Sequence, residues 1–79
     1  MADLKLFEQQ TVLTTGKRGT WYYVKVDGKR TAKAICPRCG TIASLDDHFI
    51  DGSGRVEPSI ECNCGYHRHI FLAGWSANG

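Results

Sequence analysis

The sequence predicts a small all-β domain, and three observations support this fold class. Residues 20–26 form a run of aromatic and β-branched side chains, the composition favoured in strands. The dipeptide Asp27-Gly28 follows this run and is typical of two-residue hairpin turns, in which both positions need a positive φ. The four cysteines occur as two close pairs, and no segment has the periodicity of a long amphipathic helix.

The same criteria place the remaining elements in order along the chain. Asp51-Gly52-Ser53-Gly54 is a strong turn signal, and Pro58 favours an edge position for the strand that contains it. The sequence therefore predicts β-hairpins preceded by an N-terminal strand extension. After an apolar start at residues 4–7, strands are expected at residues 11–14, 20–26, 29–35, 55–61 and 69–72, with a strand or turn at 41–45.

The length of 79 residues fits one domain, which we divide into a basic hairpin region at 1–35 and a cysteine-containing region at 36–75. A core of this size supplies only about 3–5 kcal/mol, so a covalent or metal staple is expected. The sequence has neither a recognisable signal peptide nor an apolar run of membrane-spanning length. We therefore expect a cytoplasmic protein with no membrane partner, where paired cysteines bind metal more often than they form disulfides.

The cysteine pairs predict a metal site. Cys36 and Cys39 flank a two-residue spacer and precede a glycine, Cys62 and Cys64 flank a one-residue spacer, and twenty-two residues separate the pairs. Four thiolates complete a closed tetrahedral site, so we predict one structural zinc ion as the cofactor. Because the second spacer is one residue shorter than usual, His67 is an alternative fourth ligand, and a disulfide or unbound thiols are further alternatives.

With these pairs in place, residues 35–72 resemble the zinc-ribbon family, in which two cysteine knuckles at the ends of β-hairpins clamp zinc between them. The stretch 44–75 also resembles small zinc-ribbon proteins of bacteriophages. That second resemblance implies a location in the host cytoplasm and no assigned activity. It is carried by Asp47-His48, a glycine-containing turn, Val56-x-Pro58-Ser59-Ile60, and the residues His67, Leu72, Gly74 and Trp75.

The charge distribution suggests what the domain binds. Residues 1–39 contain eight basic and three acidic residues, whereas residues 40–79 contain two basic and five acidic ones. Lysine and arginine can neutralise phosphates while aromatic rings stack on bases, so we expect non-catalytic nucleic-acid binding through the hairpin. Equally, the aromatic rings on one face can form the core while the cations keep an edge strand soluble. The residues assigned to nucleic acid are Lys17, Arg18, Trp21, Tyr23, Lys25, Lys29, Arg30 and Lys33.

Two other functions compete with nucleic-acid binding. A phage-type interaction module would dock on a host protein through aromatic anchors, although we expect Trp75 to lie in the core. Asp47-His48 lies between the cysteine pairs, as in HNH nucleases, but no helix with a later Asn and His follows it. We therefore predict that the protein is not an enzyme, has no catalytic residues and takes no small-molecule substrate.

Overall fold

The computed structural model of the protein describes residues 4–76 and confirms the all-β class, because no helix occurs in this range. Seven strands form a single curled sheet in the order β4-β3-β2-β1-β7-β6-β5. The strands are β1 (Leu4–Gln9), β2 (Thr20–Val26), β3 (Lys29–Ile35), β4 (Ile42–Ser44), β5 (Phe49–Ile50), β6 (Arg55–Glu61) and β7 (His67–Leu72).

The first strand lies at the centre of the sheet. β1 pairs in parallel with β2 on one side and with β7 on the other, while every other neighbouring pair is antiparallel. Two antiparallel units, β2-β3-β4 and β5-β6-β7, are therefore joined through a strand that precedes both in the chain. The expected N-terminal strand is present, but local sequence carries no signal for its parallel pairing across more than sixty residues.

The hairpin at Asp27-Gly28 is confirmed in detail. The two turn residues have φ values of 54° and 78°. The pairing of β2 with β3 follows the predicted register, with Val26 opposite Lys29 and Trp21 opposite Ala34. Because the turn has two residues and both positions accept positive φ, it fixes this register locally.

The strand expected at residues 11–14 is wrong. This segment is a turn in which the Thr11 N–H donates to Thr14 Oγ1 at 2.8 Å and the Leu13 N–H donates to Thr11 Oγ1 at 3.1 Å. Threonine hydroxyls that bond nearby backbone groups offer the chain an alternative to a strand ladder, and here that alternative prevails over β-propensity. As a consequence, Val12 and Leu13 are each 92% exposed.

Pro58 lies where its missing N–H removes no ladder bond. Toward β5, the pairing of β6 ends with Glu57 opposite Phe49. Toward β7, the register of β6 shifts between Val56 and Ile60. The strand β6 lies between β7 and β5, so the expected edge position is wrong; Pro58 is accommodated because it occupies this irregular stretch of the pairing. Of the two alternatives for residues 41–45, strand or turn, the structure has the short strand β4.

One hydrophobic core joins the two antiparallel units. Its members come from the five longer strands and from the segments after β4 and β7, and they include Trp75, as expected. Trp21 lies at its centre, fully buried, with its indole Nε1–H donating to the carbonyl of Ala73 at 2.9 Å. The remaining members are Phe7, Ala32, Ala34, Leu45, Val56, Ile60, Ile70 and Leu72. None of the described residues belongs to a helix long and apolar enough to cross a membrane.

Candidate metal centre and basic surface

The fold brings the four cysteines together. Their sulfur atoms all lie within 4.8 Å of one another, with Cys36 Sγ 3.7 Å from Cys64 Sγ and Cys39 Sγ 3.4 Å from Cys62 Sγ. Four sulfurs at about 2.3 Å from a tetrahedral zinc lie roughly 3.8 Å apart, so these separations fit a tetrathiolate site. The cysteines are free thiols, and the first of them is buried.

Two similar turns present the sulfurs. In the first, which follows β3, the Cys36 N–H donates to the Thr41 carbonyl at 2.8 Å; in the second, which precedes β7, the Cys62 N–H donates to the Tyr66 carbonyl at 2.8 Å. The hydrogen bond that closes the first turn joins residues five apart in the chain, whereas the one that closes the second turn joins residues four apart. This difference accounts for the spacers of two residues and one, and it allows the shorter pair to complete the cluster.

A glycine follows the second cysteine of each turn and adopts a left-handed conformation. Gly40 has a φ of +82° and Gly65 a φ of +96°, which a residue with a side chain rarely adopts. In each turn this glycine N–H also donates back to the carbonyl of the first cysteine at 2.9 Å. A glycine at each of these positions lets the backbone turn beneath the cluster, where a side chain would be strained.

Hydrogen bonds around the cluster favour thiolate at one position. The Thr41 hydroxyl lies 3.1 Å from Cys39 Sγ, and this bond, aided by the Thr41 N–H and by Cys62, lowers the pKa of the Cys39 thiol to about 6. The backbone N–H of Arg38 donates to Cys36 Sγ at 3.4 Å. Thiolate is the form that binds a metal, so these donors prepare the site for one.

The fourth cysteine has the opposite tendency. The Tyr66 N–H favours the Cys64 thiolate, but burial and the neighbouring thiols of Cys62, Cys39 and Cys36 outweigh it and raise the pKa of Cys64 to about 11. Like charges held this close oppose a second ionisation. A divalent cation removes that opposition, and a cluster of crowded thiols is therefore suited to a metal more than to four free side chains.

Two arginines lie along the cysteine turns. Arg18 Nη1 donates to the Arg38 carbonyl at 3.1 Å, and the Arg18 Nε lies 3.1 Å from where a Cβ on Gly40 would stand. Arg38 Nη1 lies 3.7 Å from the corresponding position on Gly65. Four thiolates around a divalent cation would carry a formal charge of −2, and guanidinium groups along the turns are suited to offset such a charge. The sequence predicts nucleic-acid contact for Arg18, and no local pattern places it at the cysteine turns.

His67 lies outside the cysteine cluster. It is exposed on β7, and its Nε2 is 2.7 Å from Ser59 Oγ. The group of metal-ligating side chains found among the described residues consists of the four cysteines alone. The arrangement therefore favours the all-cysteine ligand set over the alternative with histidine.

The residues assigned to nucleic acid separate into cations that are accessible and aromatic rings that are not. Lys17, Lys25 and Lys29 are exposed, and Arg30 and Lys33 are half-buried. The assignment of Trp21 to base stacking is corrected, because a fully buried ring has no free face.

Tyr23 is engaged within the protein as well. Its ring centroid lies 4.8 Å from that of Trp21 and 5.3 Å from that of Trp75, and the Arg30 guanidinium lies 4.3 Å from its centroid. Its hydroxyl lies 3.3 Å from the Gly74 carbonyl and accepts a bond from the Ser76 N–H at 2.9 Å. The hairpin face that carries Trp21 and Tyr23 is therefore the core face.

Phe49 is the exposed aromatic side chain that sequence reasoning missed. It stands on β5 with 67% of its surface exposed, next to Lys29 and Arg30 in a shallow cleft. The residue lies in a stretch that local sequence marks only by its acidic neighbours, so no pattern identified the ring as a surface feature.

The Asp47-His48 dipeptide precedes β5. Asp47 is exposed and His48 is half-buried, with no hydrogen-bond partner for its Nδ1 among residues 4–76. A helix bearing the further Asn and His of an HNH nuclease does not occur in this range. The expectation that the protein is not an enzyme stays a prediction.

The fold and the cluster together define a small all-β protein with a four-cysteine cluster compatible with a zinc-binding module. Comparison of the chain with models of known families, with curated proteins and with solved structures finds no match. The resemblance to bacteriophage zinc ribbons therefore stays a prediction from the residues.

Proposed function

We propose that the protein is a zinc-binding module in which Cys36, Cys39, Cys62 and Cys64 hold one structural zinc ion. The observation that carries this proposal is the convergence of four sulfurs within 4.8 Å at two turns of matching geometry. One turn belongs to the antiparallel unit β2-β3-β4 and the other to β5-β6-β7, so the ion joins the two units. A closed site of four protein ligands leaves no open position for substrate, which fits a structural role.

Metal analysis and cobalt substitution test this proposal. We expect about one zinc per chain and a cobalt spectrum typical of four sulfur ligands. Cys64→Ser should abolish the four-sulfur spectrum. His67→Ala is the matched control and should leave the spectrum unchanged, since His67 is bonded to Ser59 and lies outside the cluster. A three-sulfur, one-nitrogen spectrum that changes in His67→Ala would overturn the ligand assignment.

The finer proposal is that this module binds nucleic acid without catalysis. Its support is the availability of the cations: the ion pair found among residues 4–76 joins Arg55 and Glu57, and no hairpin lysine or arginine takes part in one. Lys25 and Lys29 project near the turn of the β2–β3 hairpin, beyond the pairs that β1 and β4 form with this unit. Cations without acidic partners attract phosphates and release counterions on binding.

Fluorescence-anisotropy titration at several salt concentrations tests nucleic-acid binding. With about three to five phosphates neutralised, the slope of log affinity against log salt should lie between roughly −2 and −4. Replacing Lys29, Arg30 and Lys33 by Ala should weaken binding for every sequence and flatten the slope. Lack of binding by micromolar protein in low salt would reject this proposal in favour of docking on an acidic protein surface.

A further inference from the structure

A small cleft opens between the start of β3 and the short edge strand β5. Its volume is about 150 Å³. β4 pairs with β3 only from Lys33 onward, so the first residues of β3 are left uncovered on this side. The lining residues are Lys29, Arg30, Thr31, His48, Phe49, Ile50 and Trp75.

We infer that this cleft binds one unpaired base of single-stranded nucleic acid, stacked against Phe49, with an adjoining phosphate at Lys29 and Arg30. The inference rests on the proposed nucleic-acid binding and specifies its form: a single strand, and a base site away from the core aromatic residues.

Phe49 is suited to stacking because its ring is available. Among the described aromatic residues Phe49 is the most exposed, with 67% of its surface accessible, whereas Trp21 and Trp75 are buried in the core. Stacking on an aromatic ring depends on the π-face shared by every base, so such a site tolerates any sequence.

The charges that line the cleft match a phosphate. Lys29 and Arg30 are both cationic, and neither is in an ion pair among the described residues. Asp46 and Asp47 directly precede His48 on the opposite side, and Asp46 accepts a bond from the Ser44 hydroxyl at 2.7 Å. The sugar-phosphate backbone of the bound nucleic acid is therefore expected to run along the β3 side of the cleft, away from these carboxylates.

Two buried nitrogens among the lining residues also lack partners. Trp75 Nε1 and His48 Nδ1 have no hydrogen bond within the part of the chain that the structure describes. Both atoms are sealed from solvent, so a base in the cleft does not reach them as the side chains stand. The cleft therefore offers a base the ring of Phe49 and offers its phosphate the cations Lys29 and Arg30.

The size of the cleft selects a single strand. Pockets for drug-sized ligands occupy roughly 300–1,000 Å³, and this cleft of about 150 Å³ has space for one ring system. A base that remains paired in a duplex is stacked on both sides and does not present a free face to Phe49.

Anisotropy titrations of the zinc-loaded full chain with labelled single-stranded and duplex oligonucleotides test the inference. We expect tighter binding of the single strand. Phe49→Ala should weaken it by about 5- to 150-fold, the range for loss of one stacked base, and Phe49→Trp should restore it. Leu13→Ala is the matched control, since Leu13 is an apolar residue 92% exposed in a distant turn, and it should bind as wild type does.

Asp47, the exposed residue that precedes His48 of the cleft lining, provides a second test. Asp47→Asn should tighten the binding of single-stranded oligonucleotides, because it removes a negative charge that repels their phosphates. The gain in affinity should be largest at low salt, where this repulsion is screened least. Wild-type affinity of Phe49→Ala, or equal affinity for duplex, would overturn the cleft assignment while nucleic-acid binding stands. Failure of the wild-type protein to bind any oligonucleotide would instead reject the proposed function itself.

Discussion

Gly54 is the position where a single methyl group should be most damaging. The residue ends the turn before β6 with a φ of +101°, and its carbonyl accepts the Leu72 N–H at 2.8 Å. A Cβ added to it would lie 2.4 Å from the Leu72 carbonyl oxygen and 3.1 Å from Trp75 Cβ. The first of these contacts involves the backbone, so no rotation of a side chain can relieve it.

The cost of Gly54→Ala has two parts. An L-residue in a left-handed conformation costs roughly 1–2 kcal/mol, and overpacking that shifts the backbone costs about 1–3 kcal/mol more. The sum of about 2–5 kcal/mol corresponds to a fall in Tm of at least about 8 °C for a domain of this size. The shift would also strain the bond between Leu72 and Gly54, which joins the turn to β7.

Thermal unfolding of the zinc-loaded protein, followed by circular dichroism, measures this loss. Gly16→Ala is the matched control, because Gly16 has a φ of +80° but nothing lies within 4 Å of its Cβ position. It should show only the conformational cost of roughly 1–2 kcal/mol. Equal destabilisation by the two substitutions would refute the close approach of Gly54 to β7.

Three further outcomes are expected. Chelation of zinc should unfold the domain or lower its Tm by more than about 15 °C in a thermal scan, since the binding free energy, on the order of 10 kcal/mol, rivals the whole stability; an unchanged Tm in metal-free protein contradicts this. The Ser53 hydroxyl and the Arg55 N–H lower the pKa of Asp51, so its stabilisation is present above about pH 4 and is lost as pH falls through the folded-state value. Asp51→Asn should therefore lose less stability between pH 7 and pH 3 in urea titrations than wild type does. Trp21→Phe should cost about 1–3 kcal/mol in urea, because the Ala73 carbonyl loses its donor; an unchanged urea midpoint would show that this bond contributes nothing.

The sequence predicted those features whose cause is local. Asp27-Gly28 sets the hairpin register through backbone conformations that only a few residues accept, and the cysteine pairs specify a site through spacing alone. The threonine-rich turn at residues 11–14 was misassigned because β-propensity and side-chain bonding to the backbone compete there, and composition does not decide between them.

Features set by distant contacts could not be predicted in this way. Both faces of the β2–β3 hairpin mix aromatic and basic residues, so the pattern leaves open which face is buried. The face that carries Trp21 is the buried one, because Ala73 and Trp75, more than fifty residues away in the chain, contact this ring. The central position of β1 likewise depends on its pairing with β7, and the exposure of Phe49 follows from the place of β5 at the sheet edge.

The metal site and the cleft lie at opposite ends of one strand. β3 begins at Lys29 beside the cleft and ends at Ile35, next to Cys36, and six residue steps span about 20 Å. The proposed zinc at the cysteine cluster would therefore be too far away to touch a ligand bound against Phe49. Under the proposals above, its contribution to binding is to hold the two antiparallel units together, because the cleft takes β3 from one unit and β5 from the other. Substitutions at the cleft should accordingly change the affinity for the oligonucleotide without changing the cobalt spectrum. Loss of a cysteine should abolish both the four-sulfur spectrum and oligonucleotide binding, because the two walls of the cleft are then no longer held together.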